Sequence, residues 1–319
     1  MLLAAARPLL RTVALPLWVF LLCYLFLHAM PGDPADRLDS PAIPGEQAER
    51  NRKALGLDKP IPVQFVRTLA SYARGDLGVS FSHRRLVVEV LAEALPFTLL
   101  LGAAALVLTY GLGLPTALFL ISLPDRPRRL LDRGVLVLAT LPRFWLGVML
   151  VFLLHNLAGW LPASHAFSPG GGGLTDHLVH LILPALTLCL PTAAVVSRYQ
   201  LTMMEETLGT PHVRAARAAG TGGLRLICQH VLRPSLGPTL SLFALNLPGL
   251  VSGAIVVEVI FAWPGVGRLT AEAVLGSDYP LALASALLTA AAVILGRLVA
   301  ELMARAVNPR QADAQRESA

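Results

Sequence analysis

Charged side chains are scarce in this chain. They make up 14% of its 319 residues, whereas a soluble globular domain carries about 25%. Only two residues are lysines, Lys53 and Lys59, and neither follows a glycine. A phosphate-binding loop needs Gly-Lys-Ser/Thr, so the chain cannot hydrolyse ATP by that route. The three cysteines, Cys23, Cys189 and Cys228, have no paired spacing, which is typical of small apolar residues.

Apolar residues dominate instead, and 55% of the chain is hydrophobic. A helix needs about 20 apolar residues to cross the roughly 30 Å hydrocarbon core of a bilayer. The first such run is too long for the apolar part of a signal peptide, so we expect it to be retained. The sequence therefore predicts an all-α polytopic membrane protein with six transmembrane helices. The six runs lie at 12–30, 97–122, 134–158, 180–198, 236–261 and 281–304.

The arginines indicate which side of the membrane each loop occupies. Four lie at 123–133, five at 198–233 and three from residue 305 onward, whereas residues 159–180 hold none and 262–280 hold one. By the positive-inside rule the first three segments are cytoplasmic and the last two are external. We therefore expect both termini in the cytoplasm. Residues 31–96, expected outside, hold nine further basic residues, but this segment is too long for the rule to give it much weight. Because the basic charge is thus divided between the two sides of a membrane, nucleic-acid binding is excluded.

These boundaries divide the chain into four parts. They are a first transmembrane helix at 1–30, an external cap at 31–96, a transmembrane domain at 97–305 and a cytoplasmic tail at 306–319. Within the cap, the sequence predicts short helices at 46–55, ending before Gly56, and at 61–73. The cap is thus expected to be a small folded piece rather than a linker.

The cytoplasmic loop at 199–233 contains the stretch "VRAARAAG". Thr210 is a predicted N-cap, Pro211 suits the first helical position, and Gly220 suits a left-handed residue just past the helix end. A second short helix is predicted at 224–233, ending before Pro234. In the first helix, small residues form a flat face with a charged rim. The face consists of Ala215, Ala216, Ala219 and Gly220, and the rim of Arg214 and Arg217.

A flat face of small residues favours docking into a groove of another protein, because bulky side chains would prevent close approach. An amphipathic helix lying on anionic lipid is the alternative, although such helices carry large apolar residues that this face lacks. The residues themselves leave both interpretations open.

"VRAARAAG" followed by "QHVLRPSL" resembles the EAA loop of permease subunits in binding-protein-dependent ABC importers. In that family the motif reads Glu-Ala-Ala, three residues, Gly, and Arg214 occupies the position of the glutamate. This arginine is similar to what the dipeptide, oligopeptide and nickel branch carries. Further motifs resemble the same branch, in the permease usually encoded first: "PGDPA", "LGLDKPIPVQF", "GDLGVS", "LPRFWLG", "HLILPALTL", "FAWPGVGRL" and "SDYP".

The resemblance implies a type I ABC importer permease fold in a bacterial inner membrane. It implies a subunit that forms the translocation pathway for peptides, nickel or a metal chelate delivered by an external binding protein. The other implied partners are a second permease, two ATPases and membrane lipid. ATP and Mg would be bound by the ATPases, so this chain would be a non-catalytic subunit without a cofactor of its own.

The resemblance also implies a role for the loop helix. The EAA helix rests in a groove of the ATPase and couples ATP hydrolysis to the switch between inward and outward opening. The residues implied in this coupling are Arg214, Ala215, Ala216, Arg217, Ala219 and Gly220.

Two of the charged residues inside predicted spans, Arg143 and Glu258, are candidate functional residues. Arg143 lies about ten residues into the third run, about 15 Å deep by helical rise. A charge within the membrane is costly and points to function by default. Arg143 would either face the pathway and attract a carboxylate of the ligand, or pair with an acid or snorkel to the interface. Glu258, near the outer end of the fifth run, would either make a structural bond beside Trp263 or line the pathway.

The external histidines raise the question of a metal site, since the family includes nickel importers. Only His177 and His180 are closely spaced, and no carboxylate or thiolate set accompanies them, so no metal site is predicted.

Two other classes of protein would require features that the sequence lacks. A self-sufficient channel or secondary transporter would have inverted repeats and ion sites near the bilayer midplane, and the sequence shows neither. An intramembrane enzyme would need a nucleophile with its base or a set of metal ligands, which the sequence does not offer.

Overall fold

The computed structural model describes residues 17–26, 59–168, 170 and 172–307. The predicted cap helix at 46–55 and the tail beyond residue 307 lie outside them. The described part is mostly helical, as predicted. Its helices are α1 (Leu17–Phe26), α2 (Ile61–Ala73), α3 (Val87–Ile121), α4 (Asp125–Thr140), α5 (Arg143–Leu150), the π-helix π1 (Val151–Leu157), α6 (Leu174–Leu208), α7 (Pro211–Ala218), α8 (Gly223–Leu226), the π-helix π2 (Ile227–Leu232), α9 (Arg233–Ile260), α10 (Val266–Leu275) and α11 (Tyr279–Val307).

Three of the described helices are long and apolar enough to cross a membrane. They are α3, α6 and the stretch Tyr279–Val299 of α11. A fourth span results if α4 and the α5–π1 helix are one broken span. The predicted number of six spans and the external position of the cap stay predictions.

The third apolar run, 134–158, is not one continuous helix. α4 ends at Thr140, and the helix formed by α5 and π1 leaves at an angle of 106°. Leu141 has an extended backbone with ψ 133°, as the residue before a proline prefers, and Pro142 has no N–H to continue the ladder. Arg143 is therefore the first residue of α5. The predicted depth of Arg143 assumed a straight helix through this point, and that assumption is wrong.

Helix α3 begins earlier than the apolar run that predicted it. Its first turns carry Glu89 and Glu93, which form ion pairs with Arg85 at 3.5 and 2.6 Å. Both ion pairs are exposed. The helix α3 thus includes, ahead of its apolar part, a charged stretch of the segment that was predicted as cap.

The chain divides into two compact units, of which the first comprises Met1–Thr98 and Pro264–Ala292. In this unit the ring of Phe20 on α1 lies 5.4 Å from that of Phe65 and 5.5 Å from that of Tyr72, both on α2. Helix α2 has the predicted bounds, so this prediction is confirmed. The aromatic cluster packs on buried apolar residues of α3, α10 and α11, among them Val87, Val90, Leu91, Val266, Ala273 and Leu281.

The second unit comprises Leu99–Trp263 and Val293–Ala319. Of the three candidate spans, α6 is the most deeply buried, and it passes through Pro184 and Pro191 without a break. Small residues bring other helices close to it. A Cβ atom added at Gly113 of α3 would lie 2.9 Å from the carbonyl oxygen of Ala193 on α6. Glycine thus permits the close backbone approach that membrane helices use for packing.

The loop after α7 differs from its prediction. α8 continues through π2 into α9, so the predicted stop at Pro234 is wrong. Pro234 lies in the first turn of α9, directly after π2. The wider π-helical turn directly precedes this proline, which has no N–H to donate to the helical ladder.

Candidate functional site

The helix formed by "VRAARAAG" is the candidate site, and its ends are set by local chemistry. α7 begins after Thr210 with Pro211 in its first turn, as predicted. The hydroxyl of Thr210 does not cap the helix, however, because it donates to the carbonyl of Thr207 at 2.6 Å. Thr210 is therefore the N-cap by position only.

The other end of α7 is closed by a left-handed glycine. Gly220 has φ +87°, which favours glycine over residues with a side chain. The N–H of Gly220 donates to the carbonyl of Arg217, and that of Thr221 to the carbonyl of Ala216, each at 3.0 Å. These two bonds make a complete Schellman motif. The predicted boundary of the helix is thereby confirmed.

Val213 anchors α7 to the rest of its unit. Its side chain is wholly buried. It belongs to an apolar cluster with the ends of two candidate spans and the start of the next helix, namely Leu120 and Ile121 of α3, Leu201 and Met204 of α6, Leu226 of α8 and Val231 of π2. Val213 thus packs α7 into a cluster that these elements share.

The flat face of α7 differs from the prediction at two residues, Ala216 and Ala218. Ala216 is half-buried and packs on the same cluster as Val213, so it does not share the exposed face. Ala215, Ala218 and Ala219 are exposed. The sequence could have predicted the inward position of Ala216, because Val213, a large apolar residue three positions earlier, lies on the same side of the helix. Ala218, three positions after Ala215, belongs to the exposed face although the predicted face did not contain it.

Arg214 and Arg217 are both exposed. Arg214 bends back along the chain and donates from Nη2 to the carbonyl of Gly209, just past the end of α6, at 2.8 Å. Its guanidinium thereby satisfies one of the carbonyl groups that lack a partner at a helix C-terminus.

A buried polar network that the sequence did not reveal joins α6 to α9. Gln200 donates to the hydroxyl of Ser235 at 2.7 Å and accepts from the hydroxyl of Thr239 at 2.5 Å. All three side chains are buried. Hydrogen bonds of this kind hold helices together in an apolar environment. Gln200 lies just beyond the predicted fourth run, where a glutamine reads as an ordinary loop residue.

The arginines predicted for an inner loop at 123–133 lie on α4 instead. Arg128 is bonded to Glu205 of α6 at 3.0 Å. Further along α4, Asp132 accepts from Arg198 of α6 at 3.1 Å. These two pairs join α4 to the end of α6 from which α7 follows.

Arg143 and Glu258 lie in the same unit as α7. The half-buried Arg143 donates from Nη2 to Thr192 of α6 at 3.3 Å. A Cβ atom added at Gly253 of α9 would overlap its guanidinium. Glu258 is wholly buried, and its backbone carbonyl accepts from the N–H of Trp263 at 2.8 Å.

The histidines near the predicted outer side have separate environments. His155 is bonded to the carbonyl of Leu161 at 2.8 Å, His177 lies against the ring of Phe167, and His180 is bonded to the carbonyl of Asp176 at 2.9 Å. Among the described residues, no three His, Cys, Asp or Glu side chains come together as a metal site would require.

Comparisons with known proteins identify the family. Residues 109–313 match the binding-protein-dependent transport system inner membrane component, and residues 1–102 match the N-terminal part of such components. The chain belongs to this family. It is 31% identical to the oligopeptide transport system permease protein AppB of Bacillus subtilis over 310 residues, covering 95% of this chain and 97% of the relative.

Two glutathione transport system permease proteins GsiC are also similar. That of Escherichia coli O6:H1 is 34% identical over 292 residues, covering 91% of this chain and 92% of the relative. That of Salmonella paratyphi A is 33% identical over 308 residues, covering 95% and 96%. The chain is thus a membrane permease subunit of an ABC importer, which forms a translocation pathway. A self-sufficient channel or secondary transporter is not favoured.

Proposed function

We propose that α7 is the coupling helix of this permease. Its exposed face of Ala215, Ala218 and Ala219 would rest in a groove of an ATPase subunit, with Arg214 and Arg217 at the rim and Gly220 closing the helix. The observation that carries this proposal is the division of α7 into two sides. One side is free of bulky side chains, while the other inserts Val213 into a cluster shared with α3, α6 and π2.

This division suits mechanical coupling. Small side chains let a partner approach the α7 backbone closely, while Val213 transmits displacement of α7 to the helices around it. The Gln200 network then extends the connection from α6 to α9. Ala216, which the motif comparison included, would act from the inward side as a packing residue rather than as a contact to the ATPase.

The experiment is affinity purification of the permease pair, followed by measurement of the ATPase that copurifies. Ala218→Glu places a charge in the proposed groove, where an unpaired buried charge costs about 3 kcal/mol or more, so we expect at least a tenfold loss of bound ATPase. Ala73→Glu, the same change at an exposed alanine at the end of α2, is the matched control and should bind normally. Normal ATPase binding by Ala218→Glu would leave α7 as a lipid-surface helix.

The complete importer would contain this chain, a second permease, two ATPases that bind ATP and Mg, and an external binding protein. We further propose that the chain has both termini in the cytoplasm of an inner membrane, with residues 31–96 outside. The arrangement of arginines along the sequence supports this orientation.

We propose a short peptide as the transported ligand, in preference to nickel or a metal chelate. The relatives named above are permeases of oligopeptide and glutathione transport systems, and glutathione is itself a tripeptide. Native mass spectrometry of the binding protein that works with this permease would test the proposal. We expect masses of peptides a few residues long, whereas a bound nickel ion or chelate would contradict it.

We propose a structural role for Arg143 and Glu258. The guanidinium of Arg143 lies between α5, α6 and α9, where it bonds Thr192 and covers Gly253. The complete burial of Glu258 supports a packing role beside the turn at Trp263. An Arg143 that faced the pathway would instead contribute to ligand binding, and the two roles differ in the double-variant experiment described in the Discussion.

A further inference from the structure

Two arginines on the outward side of α4 have no partner among the described residues. Arg126 and Arg133 are exposed, and neither forms a hydrogen bond or an ion pair within the part of the chain that the structure describes. They are seven residues apart, so they lie on the same side of the helix, about 10 Å from each other along its axis. Leu130 and Val137 share that side and are 69% and 59% exposed. One side of α4 thus carries basic and apolar side chains together.

The charges on the inward side of α4 are balanced. Arg128 pairs with Glu205 of α6 at 3.0 Å, and Asp132 accepts from Arg198 of α6 at 3.1 Å. The other carboxylate of the helix, that of Asp125, lies 3.2 Å from the guanidinium of Arg128. Both carboxylates of α4 are therefore already paired, and the positive charge of the outward side has no unpaired acid on the helix to balance it.

The distribution of charge along α4 indicates what surrounds this side. All the charged residues of the helix lie at 125–133, and none lies at 134–140. Together with the helix formed by α5 and π1, α4 is apolar enough to be one broken membrane span. In such a span the uncharged end lies among acyl chains, and the charged end lies at the level of the headgroups. Arginine can lay its apolar stem along the hydrocarbon and still reach a phosphate.

A soluble protein partner fits this side less well than lipid does. An acidic protein surface could pair with Arg126 and Arg133, but Leu130 lies between them and Val137 lies one turn beyond. Such a partner would need acidic and apolar residues in the same alternation. A phospholipid supplies both chemistries in one molecule, a phosphate at one end and acyl chains at the other.

We propose that the outward side of α4 binds anionic phospholipids. The guanidinium groups of Arg126 and Arg133 contact headgroup phosphates, to which arginine can donate two parallel hydrogen bonds, and Leu130 and Val137 contact acyl chains. A zwitterionic lipid also carries a phosphate, but its own cationic group cancels the charge, so the arginines favour lipids with net negative charge. In the proposed orientation these lipids belong to the cytoplasmic leaflet.

The experiment adds phosphatidylglycerol to the purified, delipidated importer in detergent and counts bound lipids by native mass spectrometry. Phosphatidylcholine with the same acyl chains is the neutral comparison. Each arginine near an anionic lipid surface strengthens binding about fivefold. With Arg126→Gln and Arg133→Gln combined, we therefore expect at least one bound phosphatidylglycerol to need about tenfold more lipid or higher, and phosphatidylcholine binding to stay unchanged. Arg126→Lys with Arg133→Lys keeps both charges and should retain most of the binding.

The matched control removes the same total charge elsewhere. Arg85 and Arg268 have carboxylate partners at 2.6 Å, on Glu93 and Glu272, so Arg85→Gln with Arg268→Gln should bind phosphatidylglycerol like the unaltered protein. An equal loss in this control, or undiminished binding by the glutamine pair on α4, would overturn the proposal. Undiminished lipid binding together with loss of the copurifying ATPase would show that this side of α4 contacts the ATPase instead.

Discussion

The hydroxyl of Ser80 donates to the carboxylate of Asp278 at 2.5 Å, although the two residues are 198 positions apart. The same wholly buried carboxylate accepts from the N–H of Ser82 at 2.9 Å and from that of Leu281, in the first turn of α11, at 3.3 Å. Asp278 therefore caps α11 and holds the segment after α2 at the same time. Two of the quoted motifs, "GDLGVS" and "SDYP", thus meet at one carboxylate.

Tyr72 strengthens this connection by donating to the carbonyl of Pro280 at 3.0 Å. Burial, and then the nearby carboxylates of Asp278 and Asp76, raise the pKa of Tyr72 above its usual range. The phenol therefore stays protonated and remains a donor at physiological pH.

Replacing the carboxylate should destabilise the first unit. Asp278→Ala leaves three donors without their acceptor, and we expect a loss of about 3 kcal/mol in the free energy of unfolding, since each buried unsatisfied group costs about 1–3 kcal/mol. Thermal unfolding of the purified permease in detergent measures this loss. Ser82→Ala is the control, because Ser82 contributes only its backbone N–H to Asp278. Equal thermal stability of Asp278→Ala and Ser82→Ala would show that the carboxylate contributes little.

Substitutions at Gly220 test whether transport depends on the left-handed backbone at the end of α7. Its φ of +87° strongly disfavours a β-branched residue, so we expect Gly220→Val to disturb the Schellman turn at a cost of about 1–3 kcal/mol and to abolish uptake. Gly220→Asn should retain much of the uptake, since asparagine tolerates left-handed conformations better than other residues with a side chain. Whole-cell uptake of a labelled tripeptide, normalised to the permease in the membrane, measures both. Similar uptake by the two variants would mean that the backbone conformation at Gly220 has no part in transport.

The contact of Arg143 with Gly253 can be tested by a double-variant cycle. A methyl group at Gly253 would displace the guanidinium, so Gly253→Ala should lower permease stability in the same way as Arg143→Gln. The double variant should be no less stable than either single variant, since both changes remove one interaction. Thermal unfolding measures stability, and uptake at varied tripeptide concentration measures ligand affinity. Additive losses of stability would show that the two residues do not interact. An effect of Arg143→Gln on ligand affinity alone would place Arg143 in the pathway.

Membrane orientation can be tested with single cysteines at exposed positions. We expect Leu275→Cys, between predicted spans five and six, to react with an impermeant thiol reagent added to cells whose outer barrier is open. Leu224→Cys, in the loop after α7, should react only once the inner membrane is permeabilised. Both variants need Cys228→Ser as background, because Cys228 is exposed in the same loop. The reverse labelling pattern would refute the assignment of both termini to the cytoplasm.

The sequence alone determined the features that depend on neighbouring residues. Thr210, Pro211 and Gly220 located α7 because cap positions and left-handed backbone are decided within one helical turn. The spacing of apolar residues likewise gave the bounds of α2, and the long apolar runs predicted α3, α6, α9 and α11. Their agreement with the structure follows from the local nature of these signals.

Only the tertiary structure decided which groups meet. The inward side of Ala216 depends on the cluster that receives Val213, and the partner of Ser80 lies 198 residues away. Pro142 and Pro234 show the same limit of prediction from the sequence alone. Both lack an N–H, yet one accompanies a bend of 106° and the other lies in a helix that continues through π2. A proline removes the same hydrogen bond everywhere, and the surrounding packing decides whether the chain turns or continues.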